Sequence, residues 1–438
     1  MSTLENSTAF DKVIGYDNIK KELMLYSDVI KNPGKYERLG VKKPGGILLE
    51  GPAGLGKTLM AKCFIEESMC LNYTIRKRKS SSEFVNVIRE TYEKAKSDDC
   101  AIVFLDDMDK FSGGGKNQNS DEFVAIQSCI DSCRKYNVFT IATANDTSCF
   151  PHSLIRPGRF DRIISVDFPT GEDFRKIIKY FLESKQVSVN LDFEEIERLM
   201  DFRSCAELET IINDAGIYAG FENRECIEQK DIVKACFDRV FETRQSLERI
   251  PDEELRMAAV HEAGHTVVSE VLSPGSVNFV SVNSYRGIGG GVTKLKAVSS
   301  NPYDFKEIER KVMGALAGKA ATELVYGIAD VGCNKDLMYA EAMLFKVVND
   351  LKVYGFEVYE GPCSDYLLEK RDRLIETEID RLYGMSKNIL IENRHLLDLV
   401  SHELEKKETL TFRDLQKIKM QEKQIIQWGE NRNNLIVS

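Results

Sequence analysis

Ile47-Leu-Leu-Glu-Gly51-Pro52-Ala53-Gly54-Leu55-Gly56-Lys57-Thr58 is the stretch that decides how the first half of this chain is read. Ile47 to Glu50 is a short apolar run, the pattern of a strand buried in a parallel sheet. Gly51 to Thr58 satisfies G-x-x-x-x-G-K-[ST] in full, and Leu59-Met-Ala-Lys-Cys-Phe-Ile65 follows without a helix breaker. Strand, glycine loop and helix in this order bring backbone amides up to a polyphosphate. The glycines permit the close approach, Lys57 neutralises the phosphates, and the Thr58 hydroxyl can ligate Mg²⁺. Gly51, Pro52, Ala53, Gly54, Leu55, Gly56, Lys57 and Thr58 are therefore expected to bind ATP.

Working outward, Ala101-Ile-Val-Phe-Leu105 and Phe139-Thr-Ile-Ala142 are further apolar runs, and Ser112 to Ser120 is a glycine-rich loop. Alternating strands and helices predict an α/β domain with a parallel sheet, its ligands at the carboxyl ends of the strands. Asp106 and Asp107 close one such strand. Asp106 is placed to hold Mg²⁺, and Asp107 to orient or deprotonate the attacking water. After Pro169 the periodicity is helical, with Leu208, Ile211, Ile212, Ala215 and Tyr218 on one face. The expected division is an ATPase α/β domain at 1–169, a small helical lid domain at 170–245, a mainly α-helical third domain at 246–428 and a tail at 429–438. Arg244 to Glu253 reads as the linker. Within the third domain, Phe279 to Leu295 alternates and breaks at glycines like a β-ribbon, which either offers an edge to an extended peptide or packs as a plain hairpin. Thr411-Phe-Arg-Asp414 reads as a helix start.

His261-Glu262-Ala-Gly-His265 gives the third domain its chemistry. On a helix the two histidines, four residues apart, share one face, and the glutamate lies beside the metal they would hold. Zn²⁺ there lowers the pKa of bound water and polarises a carbonyl, while Glu262 serves as general base. Met257 to Val260 and Thr266 to Leu272 carry no proline, so helix is the expected context. A catalytic zinc takes three protein ligands. The chain has five histidines, and His152, His395 and His402 have no comparable setting.

Composition excludes several classes. With 438 residues, 42% hydrophobic and 30% charged, the chain has enough apolar content for several cored domains. A formal charge of −10 argues against nucleic acid as main partner. Arg76 to Lys79 is the one compact basic run, read as a solvated loop tip. The eleven cysteines form no C-x-x-C pairs and read as reduced thiols of a cytoplasmic protein, with Cys129 and Cys133 as packing residues. No run reaches the roughly 18 apolar residues of a membrane span, and the N-terminus lacks a secretory pattern, so direct membrane insertion is not expected.

Gly51 to Thr58, Leu105-Asp-Asp-Met-Asp109, Ala142-Thr-Ala-Asn145 and Ile155-Arg-Pro-Gly-Arg-Phe-Asp-Arg162, taken with His261 to His265, resemble the FtsH-type AAA zinc metalloproteases over residues 8 to 420. The resemblance implies that Asn145 positions water near the γ-phosphate, and that Arg156 and Arg159 reach a neighbouring subunit's nucleotide. It matches Gly332-Cys-Asn-Lys-Asp336-Leu to the segment whose aspartate completes the zinc site, with Glu323 as a partner for a ligand histidine or a salt-bridged residue. It further implies Zn²⁺, ATP and Mg²⁺ as cofactors, polypeptide substrates and a homo-hexameric ring. Three features depart from the family. Asp107 stands where glutamate is usual, no membrane helices precede the ATPase, and the pore loop is shortened to a stretch whose one aromatic-apolar pair is Phe84-Val85. That pair either grips substrate or packs under its helix. Two rival functions follow: a remodelling ATPase or adaptor with weak proteolysis, and a peptidase for already unfolded chains whose ATP site serves assembly.

Overall fold

The structure, a computed structural model, describes residues 8–77, 81–112, 120–240, 251–283, 291–296, 304–328, 332–351, 353–354 and 364–436. Contacts divide the chain into two compact units, Met1–Ser188 with Phe202–Glu228, and Val189–Asp201 with Gln229–Ser438. The helical stretch that the sequence assigns to one lid thus contributes to both.

The first unit is built on a five-stranded parallel sheet: β1 (Gly46–Glu50), β2 (Leu71–Ile75), β3 (Ala101–Leu105), β4 (Val138–Ala144) and β5 (Arg162–Ser165), in the order β2-β3-β4-β1-β5. The three central strands are the three apolar runs. Helices on both faces hide them from water, so no polar alternation is needed. β2 and β5 lie at the edges, carry exposed residues, and lack that signal. Helix Lys57–Ser68 follows β1, as the glycine loop requires.

Phe84 belongs to this unit's core. It lies in helix Ser81–Ala95, is 1% exposed, and meets the Phe111 ring edge-on at 4.9 Å between centroids. The gripping reading of Phe84-Val85 fails on this geometry, because a ring held between helix and sheet has no face to offer a substrate; Val85 is half-buried against the same cluster. The basic run is also corrected where it is described. Lys77 turns inward to Glu122 at 3.0 Å and to the Phe111 carbonyl, and Arg76 reaches Asp106. Arg78 and Lys79 lie outside the described residues. Cys70 and Cys100 form a disulfide, which corrects the all-reduced reading. The cause is register: each cysteine precedes one of two adjacent parallel strands, Leu71 pairs with Ala101, and the Cα atoms stand 5.1 Å apart. Cys129 and Cys133 are free and buried in the core, as read.

The second unit is mainly helical, as the sequence indicates. Helix Asp252–Leu272 packs against Phe305–Tyr326, which also contacts Asn334–Asn349 and Asp365–Glu392. Its core runs through Ala263, Val267, Leu316, Ala320, Leu344 and Leu382. A small antiparallel sheet, β6 (Val277–Ser281), β7 (Val292–Leu295) and β8 (Thr409–Thr411), has the order β7-β6-β8. The ribbon is therefore real, and β7 is an edge. β8 immediately precedes helix Phe412–Ile436, whose start is closed by Thr411 and Asp414 through mutual side-chain contacts with each other's amides. Among the described residues no helix is long and apolar enough to cross a membrane.

Candidate active sites

At the carboxyl end of β1 the chain turns through Gly51 with φ 138°, and Gly56 with φ 85° caps helix Lys57–Ser68. A Cβ on Gly51 would lie 2.1 Å from the Val166 carbonyl oxygen, so only glycine lets β1 and the chain after β5 run this close. The loop then presents the amides of a helix N-terminus, a ready anion site. Leu55 is buried beneath it, while Pro52, Ala53 and Gly54 stand at the surface. Lys57 is buried and donates to the Gly51 and Pro52 carbonyls at 2.6 Å each and to Asn145 Oδ1 at 2.9 Å. Burial pulls its ammonium below the ordinary lysine range, against the opposing pull of Asp109 and Asp107.

Asp106, 1% exposed, follows directly on β3. Its Oδ1 accepts from Thr58 Oγ1 at 3.0 Å and Thr143 Oγ1 at 2.9 Å. Its Oδ2 takes the Arg76 guanidinium through Nε and Nη2. Asp107 adopts φ 56°, a left-handed conformation uncommon for a non-glycine residue, and its carboxylate accepts from Lys110 at 2.8 Å. Asn145 is anchored by Asp109, which accepts from its amide at 3.1 Å. Loop amides, Lys57, Thr58 and a buried aspartate thus form one constellation that fits a magnesium-bound nucleotide, a donor set of hard oxygens and cations. The paired arginines part company. Arg156 is exposed. Arg159 is buried and bound at home, to Asp131 at 2.7 Å, Gln127 at 2.7 Å and the Ser153 carbonyl. In this structure Arg159 is thus engaged within its own chain, while Arg156 is the exposed member of the pair.

The second site lies on helix Asp252–Leu272, where a 3.6-residue period brings His261 and His265 to one face. Asp336 comes from the first turn of helix Asn334–Asn349. His261 Nε2 stands 3.0 Å from His265 Nε2 and 3.1 Å from Asp336 Oδ2, and His265 Nε2 stands 3.5 Å from that oxygen. A tetrahedral zinc with bonds of about 2.0–2.2 Å holds neighbouring donors about 3.3–3.6 Å apart. The donor set and its spacing fit such an ion. His265 Nδ1 donates to the Gly314 carbonyl at 2.7 Å, which fixes the ring and leaves Nε2 as the metal-facing nitrogen. Burial works to lower the His265 pKa, but Asp336 and Glu262 outweigh it and raise it to about 9. Asp336 sits well below the usual carboxylate range, its burial overcome by the two imidazoles.

Glu262 is buried beside these donors, and burial raises its pKa against the opposing pull of His265 and His261. Thr293 of β7 donates to its Oε2 at 2.8 Å. A Cβ on Gly291 would fall 2.6 Å from Glu262 Cγ and Oε1, and one on Gly318 would fall 2.6 Å from His261 Nε2 and from His265 Nε2. Gly291, Thr293, Gly314 and Gly318 were not singled out from the sequence for these roles. Gly314 and Gly318, four apart on a helix, are a spacing signal for close approach, whereas nothing local marks Thr293. Glu323 takes the other of its two readings: it accepts from Tyr383 and Lys387, not from a ligand histidine.

Each of the two regions that carry these sites is matched by a family model. Residues 47–168 match the model of the ATPase family associated with various cellular activities (AAA), and residues 248–364 match that of peptidase family M41. The chain is similar to ATP-dependent zinc metalloprotease FtsH 2 of Salinibacter ruber (strain M8), 33% identical over 79% of this chain and 53% of that protein. It is 29% identical to FtsH 2 of Phytoplasma mali (strain AT) over 96% of this chain and 64% of that one. It is also 29% identical to FtsH of Bacillus subtilis (strain 168) over 92% and 68%. The chain thus spans between about half and two thirds of the length of these relatives. By both of its modules, an AAA ATPase and an M41 peptidase in one polypeptide, the chain belongs to the FtsH-type zinc metalloprotease family.

Proposed function

We propose that this chain is an ATP-dependent zinc endopeptidase that unfolds and degrades polypeptides, acting as a cytoplasmic homo-hexamer with Zn²⁺, ATP and Mg²⁺. The convergence of His261, His265 and Asp336 beside the buried Glu262 carries this reading. The modules are the ATPase at 1–169, the lid at 170–245, the peptidase at 246–428 and a tail at 429–438. In the peptidase, an extended substrate pairs along the β7 edge. His261, His265 and Asp336 would hold zinc, which when bound would supply Lewis acidity toward a carbonyl and lower the pKa of a water there. Glu262, with Thr293 on Oε2, keeps Oε1 to receive the water's proton, and burial makes it a stronger base than an exposed glutamate. In the ATPase, Asp106 and Thr58 hold Mg²⁺, Lys57 meets the phosphates, Asp107 and Asn145 address the attacking water, and Arg156 is the residue presented to a neighbour. Arg159 positions the Arg156 loop through Asp131 and Gln127. Arg76, on the Asp106 carboxylate, must yield when the metal binds.

Glu262→Gln tests the reading, because it removes the base and leaves the ligands. The variant is expected to bind zinc as wild type does and to lose casein degradation, and a chelator is expected to stop wild type equally. Degradation at the wild-type rate by Glu262→Gln would sink the peptidase assignment. One observation favours a narrower activity. With Phe84 in the core and no other aromatic-apolar pair in the shortened loop, the protein has a weak grip on folded substrates. It then cleaves already unfolded chains, with the ATP site serving assembly. Degradation that proceeds equally with ATP and with a non-hydrolysable analogue identifies that case.

A further inference from the structure

The cleft beside the three donors has a volume of about 350 Å³, and Glu262, His265 and Asp336 line it together with Lys311, Lys335 and Tyr339. Lys311 comes from helix Phe305–Tyr326, one turn before Gly314, and is half-buried. Lys335 comes from the start of helix Asn334–Asn349, next to Asp336, and is exposed. Neither ammonium has a hydrogen-bond or ion-pair partner among the described residues. Among the other lysines of the same unit, Lys387 pairs with Glu323, Lys407 with Asp414 and Lys419 with Glu270, and none of these three lines the cleft. In a chain of formal charge −10, the two lysines balance the two carboxylates that line the same cleft, so a bound dication would leave it net positive.

The charge balance inside the cleft sharpens this. Glu262 and Asp336 are the lining carboxylates, and together they offset a bound dication. The histidines coordinate as neutral rings. The sign felt by a substrate side chain is then set by Lys311 and Lys335. A half-buried ammonium with no partner attracts a carboxylate more strongly than a fully solvated one does, since less water screens it. It also repels an arriving lysine or arginine, and selectivity is the difference between those two energies.

Resting on the peptidase reading above, we propose that Lys311 and Lys335 make this cleft select polypeptides with an aspartate or glutamate adjacent to the scissile bond. The preference is electrostatic. It is therefore largest at low ionic strength and shrinks as salt rises toward about 0.5 M.

The test uses the full chain loaded with zinc and quenched peptides identical except for Asp, Asn or Lys at each position flanking the cleaved bond. Binding of the same peptides to Glu262→Gln protein is followed by fluorescence anisotropy, so that affinity is read apart from turnover. The Asp peptide is expected to exceed the Lys peptide by about tenfold in both affinity and kcat/KM. Lys311→Glu with Lys335→Glu is expected to invert that ratio. Lys311→Met with Lys335→Gln is expected to flatten it, at a zinc content verified by metal analysis. Equal handling of Asp and Lys peptides by wild type, or an unchanged ratio in either double variant, overturns the proposal. Wild-type protein that holds zinc yet cleaves none of the peptides overturns the peptidase reading itself.

Discussion

In an ordinary helix interior, replacing a glycine by alanine stabilises by about 0.5–1 kcal/mol. Gly318→Ala is expected to do the opposite. Gly318 lies within helix Phe305–Tyr326, and a Cβ there would stand 2.6 Å from His261 Cε1, His261 Nε2 and His265 Nε2. These atoms do not belong to loose side-chain ends. His265 is held by its bond to the Gly314 carbonyl at 2.7 Å, and His261 by Asp336 at 3.1 Å. Either the rings turn or the two helices part. Overpacking of this kind costs about 1–3 kcal/mol, which exceeds the propensity gain. Turned rings also stop converging, and disturbing the support of a metal ligand lowers metal affinity about 10–100-fold. At saturating zinc a 100-fold loss removes about 2.7 kcal/mol of the stabilisation that zinc confers. The assay is zinc competition against a chromophoric chelator, with thermal unfolding measured with and without zinc. Gly384→Ala is the control, because its Cβ would meet nothing within 4 Å in helix Asp365–Glu392. It should melt higher than wild type and bind zinc as wild type does. If Gly318→Ala behaves like that control, the histidines do not converge as described and the zinc geometry is wrong.

Four further variants check the first unit. Phe84→Ala is expected to destabilise the ATPase unit by about 3–5 kcal/mol in chemical denaturation; wild-type stability with selective loss of folded-substrate degradation would restore the gripping role. Arg159→Ala is expected to cost about 1.5–3 kcal/mol by removing its charged hydrogen bonds to Asp131, Gln127 and the Ser153 carbonyl, while Arg134 stays on Asp131 and the Ser153 hydroxyl on Gln127. Arg156→Ala should leave the melt unchanged and slow ATP turnover in the assembled protein, and the reverse pattern would return the finger role to Arg159. Asp107→Glu lengthens an arm that now reaches Lys110. It is expected to raise ATP turnover by up to on the order of 100-fold, since displacements near 1 Å carry penalties of that size. An unchanged rate would mean that the left-handed backbone at Asp107 already corrects its reach.

The central strands were legible in the sequence because burial on both faces leaves an unbroken apolar run: β1, β3 and β4 coincide with Ile47 to Glu50, Ala101 to Leu105 and Phe139 to Ala142. Leu71 to Ile75 has the same length as β1 and β3 but lies at the edge, paired only with β3, so polar residues interrupt it and the pattern fades. β8, three residues long, exists because β6 needs a partner on its second edge, and no local signal encodes that need. His261, Glu262 and His265 were legible for a related reason. Their mutual placement depends only on helix period, whereas Asp336 arrives from a different helix and entered through family resemblance.

Side-chain direction was the least legible property. The Arg156 to Arg159 motif names two guanidiniums, but packing sends one to solvent and the other onto Asp131, and motif spelling carries no record of which. The same holds for Phe84, where an aromatic beside a loop reads equally as grip or as core until Phe111 is seen against it. The glycines of the zinc site differ, because their spacing does carry information. Gly314, Ala317, Gly318 and Ala321 recur every three or four residues and form a stripe of small residues on one helix face. Gly264, inside the His-Glu-x-x-His motif, is the matching small residue on the facing helix, and a Cβ there would lie 2.5 Å from the Ala317 carbonyl oxygen. Two helices that approach this closely place the backbone of one against the imidazoles of the other. That approach supplies the Gly314 carbonyl to His265 and leaves room for the two rings to face Asp336. A stripe of small residues one turn apart, opposite a glycine within the motif, is therefore the sequence-level sign that the metal ligands are held by helix packing rather than by a loop.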